Sequence, residues 1–333
     1  MKKKLVWYIG GALLLTVIII WNLDFTSSSL TLGLTYSDTY VRDELKLDPH
    51  TTFEAILDEL QPEKLRLVAY WNEIEQMPGV FDFTSLDEQI REAEKRDISV
   101  VLAIGYRTPR WPECHIPDWV HGKDMDGFKT ALWRYLETVV RRYKDRNIIS
   151  GWQIENEPLL GVFGECPQGD RELLKGEIAF VRSLDTREIM VTASGELSLW
   201  TRTAGLSETF GTTLYRYVWN KYLGYFNHIY PPAFYTVRAW IARHFLGAKD
   251  IVIAELQAEP WGKNGKPLVQ IPFDEQTEQF GPEELRSIVR FARKTGLSEI
   301  YLWGPEWWYF RKLHGDQSFW NIGKELFHEA REK

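Results

Sequence analysis

Eight short runs of apolar and β-branched residues recur along the chain, most of them followed by a longer stretch with helical spacing. No other feature restricts the fold as much. The runs are residues 31–36, 64–70, 99–104, 148–155, 188–192, 209–214, 251–255 and 299–303. A strand that returns parallel to its neighbour needs a long crossover, normally a helix, so repeated strand–helix units call for a parallel sheet. Eight such units in about 300 residues predict the α/β class and a single (β/α)8 TIM barrel. A doubly wound open sheet would place a Gly-rich phosphate loop after its first strand, and none follows Tyr36.

Helix starts are predicted from capping boxes at Thr51-Thr52-Phe53-Glu54 and Ser85-Leu86-Asp87-Glu88. Leu132, Tyr135, Leu136, Val139, Val140 and Tyr143 keep helical spacing across residues 128–143. Pro282 opens a later helix, and residues 319–332 form the last. A fifth helix is expected near residues 197–206.

The first 29 residues read differently. Three lysines, Lys2, Lys3 and Lys4, precede an uncharged, mostly apolar run over residues 5–21, and no small-x-small cleavage site follows it. The expectation is a cytoplasmic stub, a transmembrane signal anchor and a short tether. Residues 30–333 would then form the catalytic domain outside the cytoplasm, on a single-pass membrane protein. A cleaved signal peptide is the alternative. An export compartment suits one disulfide between Cys114 and Cys166, the two cysteines of the chain. His115 and His121 lie near Cys114, but no zinc-ligand spacing appears, so neither a metal nor a cofactor is expected. A net charge of -7 argues against a nucleic-acid partner.

In such a barrel, function sits where strands end and the following loops begin. The fourth run ends in Asn156-Glu157-Pro158 and the seventh in Glu255. These glutamates are 98 residues apart. A barrel of about 250 residues has about 31 per unit, so three units span about 94. The interval is what equivalent positions on the fourth and seventh strands would give. Two carboxyl groups facing across a pocket suit glycoside hydrolysis, in which one delivers a proton and the other attacks the anomeric carbon.

Asn-Glu-Pro on the fourth strand, with a glutamate ending the seventh, resembles clan A of the retaining glycoside hydrolases. Arg66 is similar to the second-strand arginine of family 5, which holds the nucleophile. Tyr217 in TLYRYVW matches the tyrosine after the sixth strand that hydrogen-bonds it. Trp303 in YLWGPEWW matches the tryptophan flooring the sugar subsite. Residues 78–102 resemble the corresponding region of families 35, 39 and 42. The chain departs from family 5 at Tyr215, where histidine is frequent, and after Glu255, where Leu256-Gln257-Ala258-Glu259-Pro260-Trp261 replaces a more usual aromatic-glycine step.

The resemblance implies that Glu157 is general acid and base and Glu255 the nucleophile, held ionised by Arg66 and Tyr217. Asn156 would bind the sugar 2-hydroxyl. Substrate contacts are expected from Arg66, Trp71, Asn156, Tyr215, Tyr217, Trp261 and Trp303. Glu155 is read as a buried support paired with Arg66, pointing to the same side as Glu157. Of 15 tryptophans, Trp71, Trp111, Trp119, Trp219, Trp261, Trp303, Trp307 and Trp308 fall at strand ends or in the loops after them, as sugar platforms would. Trp133 and Trp240 fall at helical core positions. The expected function is hydrolysis of a β-linked oligo- or polysaccharide by double displacement. The alternative is a carbohydrate-binding barrel without turnover.

Overall fold

The computed structural model describes Tyr8, residues 25–27 and residues 29–332. The expected anchor at residues 5–21 lies outside the described residues except for Tyr8. Among the described residues no helix is long and apolar enough to cross a membrane.

Eight parallel strands close into a barrel: β1 (Thr31–Thr35), β2 (Lys64–Val68), β3 (Ser99–Ile104), β4 (Ile149–Ile154), β5 (Glu188–Ala193), β6 (Thr209–Leu214), β9 (Asp250–Gln257) and β10 (Glu299–Trp303). All eight coincide with the runs read from sequence to within a few residues. The sequence did not suggest β7 (Tyr217–Asn220) and β8 (Gly224–Asn227), an antiparallel hairpin that follows β6 outside the barrel. The strands are buried along most of their length because helices cover the outer face and side chains fill the inside.

The helices are α1 (Pro49–Leu60), α2 (Trp71–Ile74), α3 (Thr84–Lys95), α4 (Met125–Tyr143), α5 (Arg171–Leu184), α6 (Pro232–Ile241), α7 (Phe273–Gln279), α8 (Pro282–Arg293), α9 (Pro305–Leu313) and α10 (Ser318–Arg331). Both capping-box readings are displaced. Asp48 caps α1 by accepting from the Thr51 N–H at 2.8 Å, and Pro49 sits at the first helical position, so the helix starts ahead of Thr51. Before α3 the acceptor is Asp82, bonded to both the Thr84 N–H and its hydroxyl. The fifth helix reduces to one 3-10 turn, Trp200–Arg202.

The chain enters at the face opposite the strand ends. The Phe25 N–H donates to the Lys294 carbonyl at 3.4 Å, and Thr31 to Ser298 at 2.8 Å. Cys114 and Cys166 are joined as expected. The bridge ties the loop after β3 to the loop after β4. With its ends 52 positions apart in sequence, it stabilises the fold by roughly 4 kcal/mol in the chain-entropy account.

Candidate active site

Arg66 lies in the middle of β2, fully buried, and its guanidinium crosses the barrel interior. Nη1 donates to Glu255 Oε1 at 2.9 Å, Nη2 to Asn156 Oδ1 at 2.7 Å and Nε to Gln153 Oε1 at 2.6 Å. One planar fork therefore connects the tips of β4 and β9, which is the geometry guanidinium is built for. Glu255, six residues into β9, is 4% exposed. Its second oxygen accepts from the Tyr215 hydroxyl at 3.0 Å.

At the end of β4 the backbone leaves extended geometry. Glu155 has φ 59° and Glu157 φ 45°, left-handed values at non-glycine residues that cost of order 1–3 kcal/mol each. The turn sends the two glutamates to different places. Glu155 accepts from the Tyr106 N–H at 2.9 Å and the Arg107 N–H at 2.6 Å, holding the start of the loop after β3. Gly105 is required there: its φ is +126°, and a Cβ would fall 2.1 Å from Glu155 Oε1. The expected Arg66–Glu155 pair is not formed. Alternation stops at Ile154, so the inward residue that meets Arg66 is Gln153.

Glu157 faces the other way, 7% exposed. Its N–H donates to the Thr192 hydroxyl at 2.9 Å, and that hydroxyl donates to Asn156 Oδ1 at 3.2 Å. Glu157 Oε1 is buried without a hydrogen-bond partner. Burial, and then the charges of Glu255 and Glu113, push the Glu157 carboxyl well above the ordinary carboxylate range. A proton held on Glu157 beside a Glu255 paired to Arg66 is the division of labour that acid-assisted displacement needs.

Solved structures with the same architecture include the family 5, subfamily 18 glycoside hydrolase of Bifidobacterium longum subsp. longum. Its TM-score is 0.62 at 10% identity, with 92% of this chain and 80% of that one covered. The subfamily 18 protein of Streptomyces cattleya, in complex with GlcNAc, gives 0.57 at 13%, covering 84% and 71%. The β-galactosidase of the psychrophilic Marinomonas ef1 gives 0.60 at 11%, covering 91% and 60%. The chain resembles the clan A glycoside hydrolases. At these identities the likeness is one of fold. No protein-family profile matches the chain. Over 174 residues it is 24% identical to β-galactosidase BgaA of Clostridium cellulovorans, a stretch taking in 44% of this chain and 25% of that protein. The chain thus spans about a quarter of the length of the curated relative it matches.

Two expected site residues are placed differently, and a third is partly covered. Tyr217 does not reach Glu255; β6 ends at Leu214, so the first residue past its tip, Tyr215, does. Tyr217 is fixed instead by Gln257, which takes its N–H at 2.9 Å and donates to its carbonyl at 2.6 Å. Its ring packs edge-on against Phe280 and lines an open groove with Tyr225, Asp274 and Glu278. Trp71 is fully buried, stacked on Tyr135 and hydrogen-bonded to Glu75 at 2.8 Å. It is a core residue, and such rings are worth about 3–5 kcal/mol against alanine.

Trp303 stands at the tip of β10 as expected, but the Arg110 guanidinium lies 4.2 Å from its ring centroid, covering one face. Trp307 and Trp308 are core residues of α9, whereas Trp240, read as core, is 52% exposed. Trp261 stays partly open beside Tyr215, 5.9 Å between ring centroids. Asn156 is anchored by Arg66 and Thr192, and its Nδ2 donates to Glu113 Oε2 at 3.1 Å.

Glu113 was missed from sequence. Burial, then the charge of Glu255, push its carboxyl up to about 8. The signal that could have found it is the adjacent Cys114, whose bridge holds this loop against the β4 loop.

The tyrosine assignment can be tested directly. Tyr215→Phe removes a hydrogen bond to a charged acceptor, a contact worth about 1.5–3 kcal/mol. Turnover should fall roughly 10- to 100-fold, while Tyr217→Phe stays near normal, in initial rates on an aryl glycoside. Equal losses in both variants would reject the placement.

Proposed function

We propose that the chain is a retaining β-glycosidase acting on a β-linked oligo- or polysaccharide. The observation that carries this reading is the pair Glu157 and Glu255, near the tips of β4 and β9, with Arg66 joining Glu255 to Asn156, the residue before Glu157. Glu255, oriented by Arg66 and Tyr215, attacks the anomeric carbon and forms a glycosyl ester. Glu157 gives its proton to the leaving oxygen, then takes one from the water that cleaves the ester. The unpartnered Oε1 of Glu157 leaves that carboxyl with hydrogen-bonding capacity for the substrate. The glycoside hydrolases among the structural neighbours and the β-galactosidase relative support the substrate class.

Assaying aryl β-glycosides of galactose, glucose, mannose, xylose and N-acetylglucosamine tests it. Hydrolysis of at least one, lost in Glu255→Ala, is expected. Sugar binding without turnover across the panel would favour a binding barrel instead.

An anchor at residues 5–21 is part of the proposal. Phe25 lies against Lys294 at the face opposite the glutamates, so an anchored barrel would present its mouth away from the bilayer. Full-length protein should then resist carbonate extraction from membranes, and its release into the wash would argue against the anchor.

A further inference from the structure

The loop after β3 does not stay over its own strand. Tyr70 donates to the Pro109 carbonyl at 3.0 Å, and Cys114 is bridged to Cys166, so residues 109–114 are fixed near the mouth at both ends. Between these points Arg110, 7% exposed, reaches across the ends of β2 and β1. Its Nη2 donates to Glu306 Oε2, after β10, at 3.1 Å, and its Nη1 pairs with Glu259, after β9. The guanidinium lies between two rings, 3.8 Å from the centroid of Tyr40, after β1, and 4.2 Å from that of Trp303. Each partner is held in turn. Glu306 accepts from the Ser37 N–H at 3.0 Å, and the Tyr40 hydroxyl donates to Glu259 at 3.4 Å. Gly304, with φ +122°, leaves room for Glu259, since a Cβ there would lie 2.7 Å from the Glu259 Cβ.

This arrangement has a direction relative to the chemistry. The sugar that becomes attached to Glu255 must sit beside β9, Arg66 and Trp303. The leaving part must point toward Glu157, on the β4 side. Any further sugar beyond the attached one would have to pass over β10 and β1, where Arg110 and its four partners stand. An internal cut needs an open groove on both sides of the two carboxyls. On the β10 and β1 side that path is taken by Arg110, packed between Tyr40 and Trp303 and paired with Glu259 and Glu306.

We propose that Arg110, clamped to Glu259 and Glu306 between Tyr40 and Trp303, closes the non-reducing side of the site and makes the protein exo-acting, releasing one sugar per event from chain ends. The inference rests on the glycosidase reading. Arg110 is a specificity-determining residue here, acting by occupying the path that a longer glycone would take. A buried, doubly paired and stacked guanidinium suits that task because displacing it would strand two buried carboxylates.

The test uses the sugar whose aryl β-glycoside is cleaved, supplied as a β-linked pentasaccharide labelled at its reducing end. Early products should be the labelled tetrasaccharide and free monosaccharide. In Arg110→Ala, labelled di- and trisaccharides should appear among the early products, with a ratio of internal to terminal cuts at least 10-fold above wild type. Glu259→Gln keeps the side-chain volume, weakens the clamp and should shift the ratio the same way, which covers a failure of Arg110→Ala to fold. Internal cuts as the main early products of the wild type would overturn the proposal while leaving the glycosidase reading intact. So would unchanged product ratios in folded variants of both residues. Absence of hydrolysis on every aryl glycoside would overturn the glycosidase reading and this inference with it.

Discussion

Glu255→Ala should have no measurable turnover on any aryl glycoside, because no other group in the site is both paired to Arg66 and hydrogen-bonded by Tyr215. Glu157→Ala should behave differently. A leaving group that departs without a proton still allows the first displacement, so the glycosyl-enzyme forms and then accumulates. With a poor leaving group the loss should be about 10²- to 10⁴-fold, the usual worth of general acid catalysis. Azide should partly restore the Glu157→Ala variant, since it attacks without base assistance, and the product should be a β-glycosyl azide. The alkaline limb of the wild-type pH profile should come from the raised Glu157 carboxyl and vanish in this variant. Equal behaviour of the two variants would remove the distinction between acid and nucleophile.

The second large effect is on stability. Glu113 and Glu155 are pushed from an ordinary 4.5 to about 8, and Glu196 and Glu306 to about 7, with desolvation the first cause in each. In the unfolded chain these carboxyls titrate near 4.3. Between the two values the folded protein holds protons that the unfolded chain has released, so stability falls as pH rises. Below about pH 4.5 the groups are protonated in both states and exert no such effect. Opposite shifts hold Asp87, Asp185 and Glu208 below the ordinary range, and their contribution is lost below about pH 4. The melting temperature should therefore peak near pH 5 and decline through pH 8. Glu113→Gln should flatten part of that decline. A melting temperature that rises from pH 5 to pH 8 would show that these carboxyls ionise freely in the folded state.

The barrel was legible because each strand announces itself locally through a β-branched apolar run, and eight such runs, most followed by a helical stretch, fill about 300 residues. Glu157 and Glu255 were legible because each ends a strand-like run and their separation of 98 residues is close to three average barrel units. What could not be read is set by contacts between distant segments. Tyr215 and Tyr217 differ by two positions, and only the end of β6 at Leu214 decides which one meets Glu255. Trp71 follows a strand end as a sugar platform would, yet α4 arrives with Tyr135 to cover it. Glu155 departs from strand alternation because the backbone turns left-handed at the tip of β4. Arg110 carries no local signal at all. Its partners come from three other loops, and nothing in the sequence between them indicates that they converge.

The central claim is that Glu255 becomes covalently attached to the sugar. A 2-deoxy-2-fluoro aryl β-glycoside of the cleaved sugar slows breakdown of the glycosyl-enzyme more than its formation. Incubation followed by peptic digestion and mass spectrometry should find one labelled peptide, with the added sugar on Glu255. Label on Glu157 or Glu113, or turnover of the parent glycoside with an α-configured first product and no labelled peptide, would contradict the account.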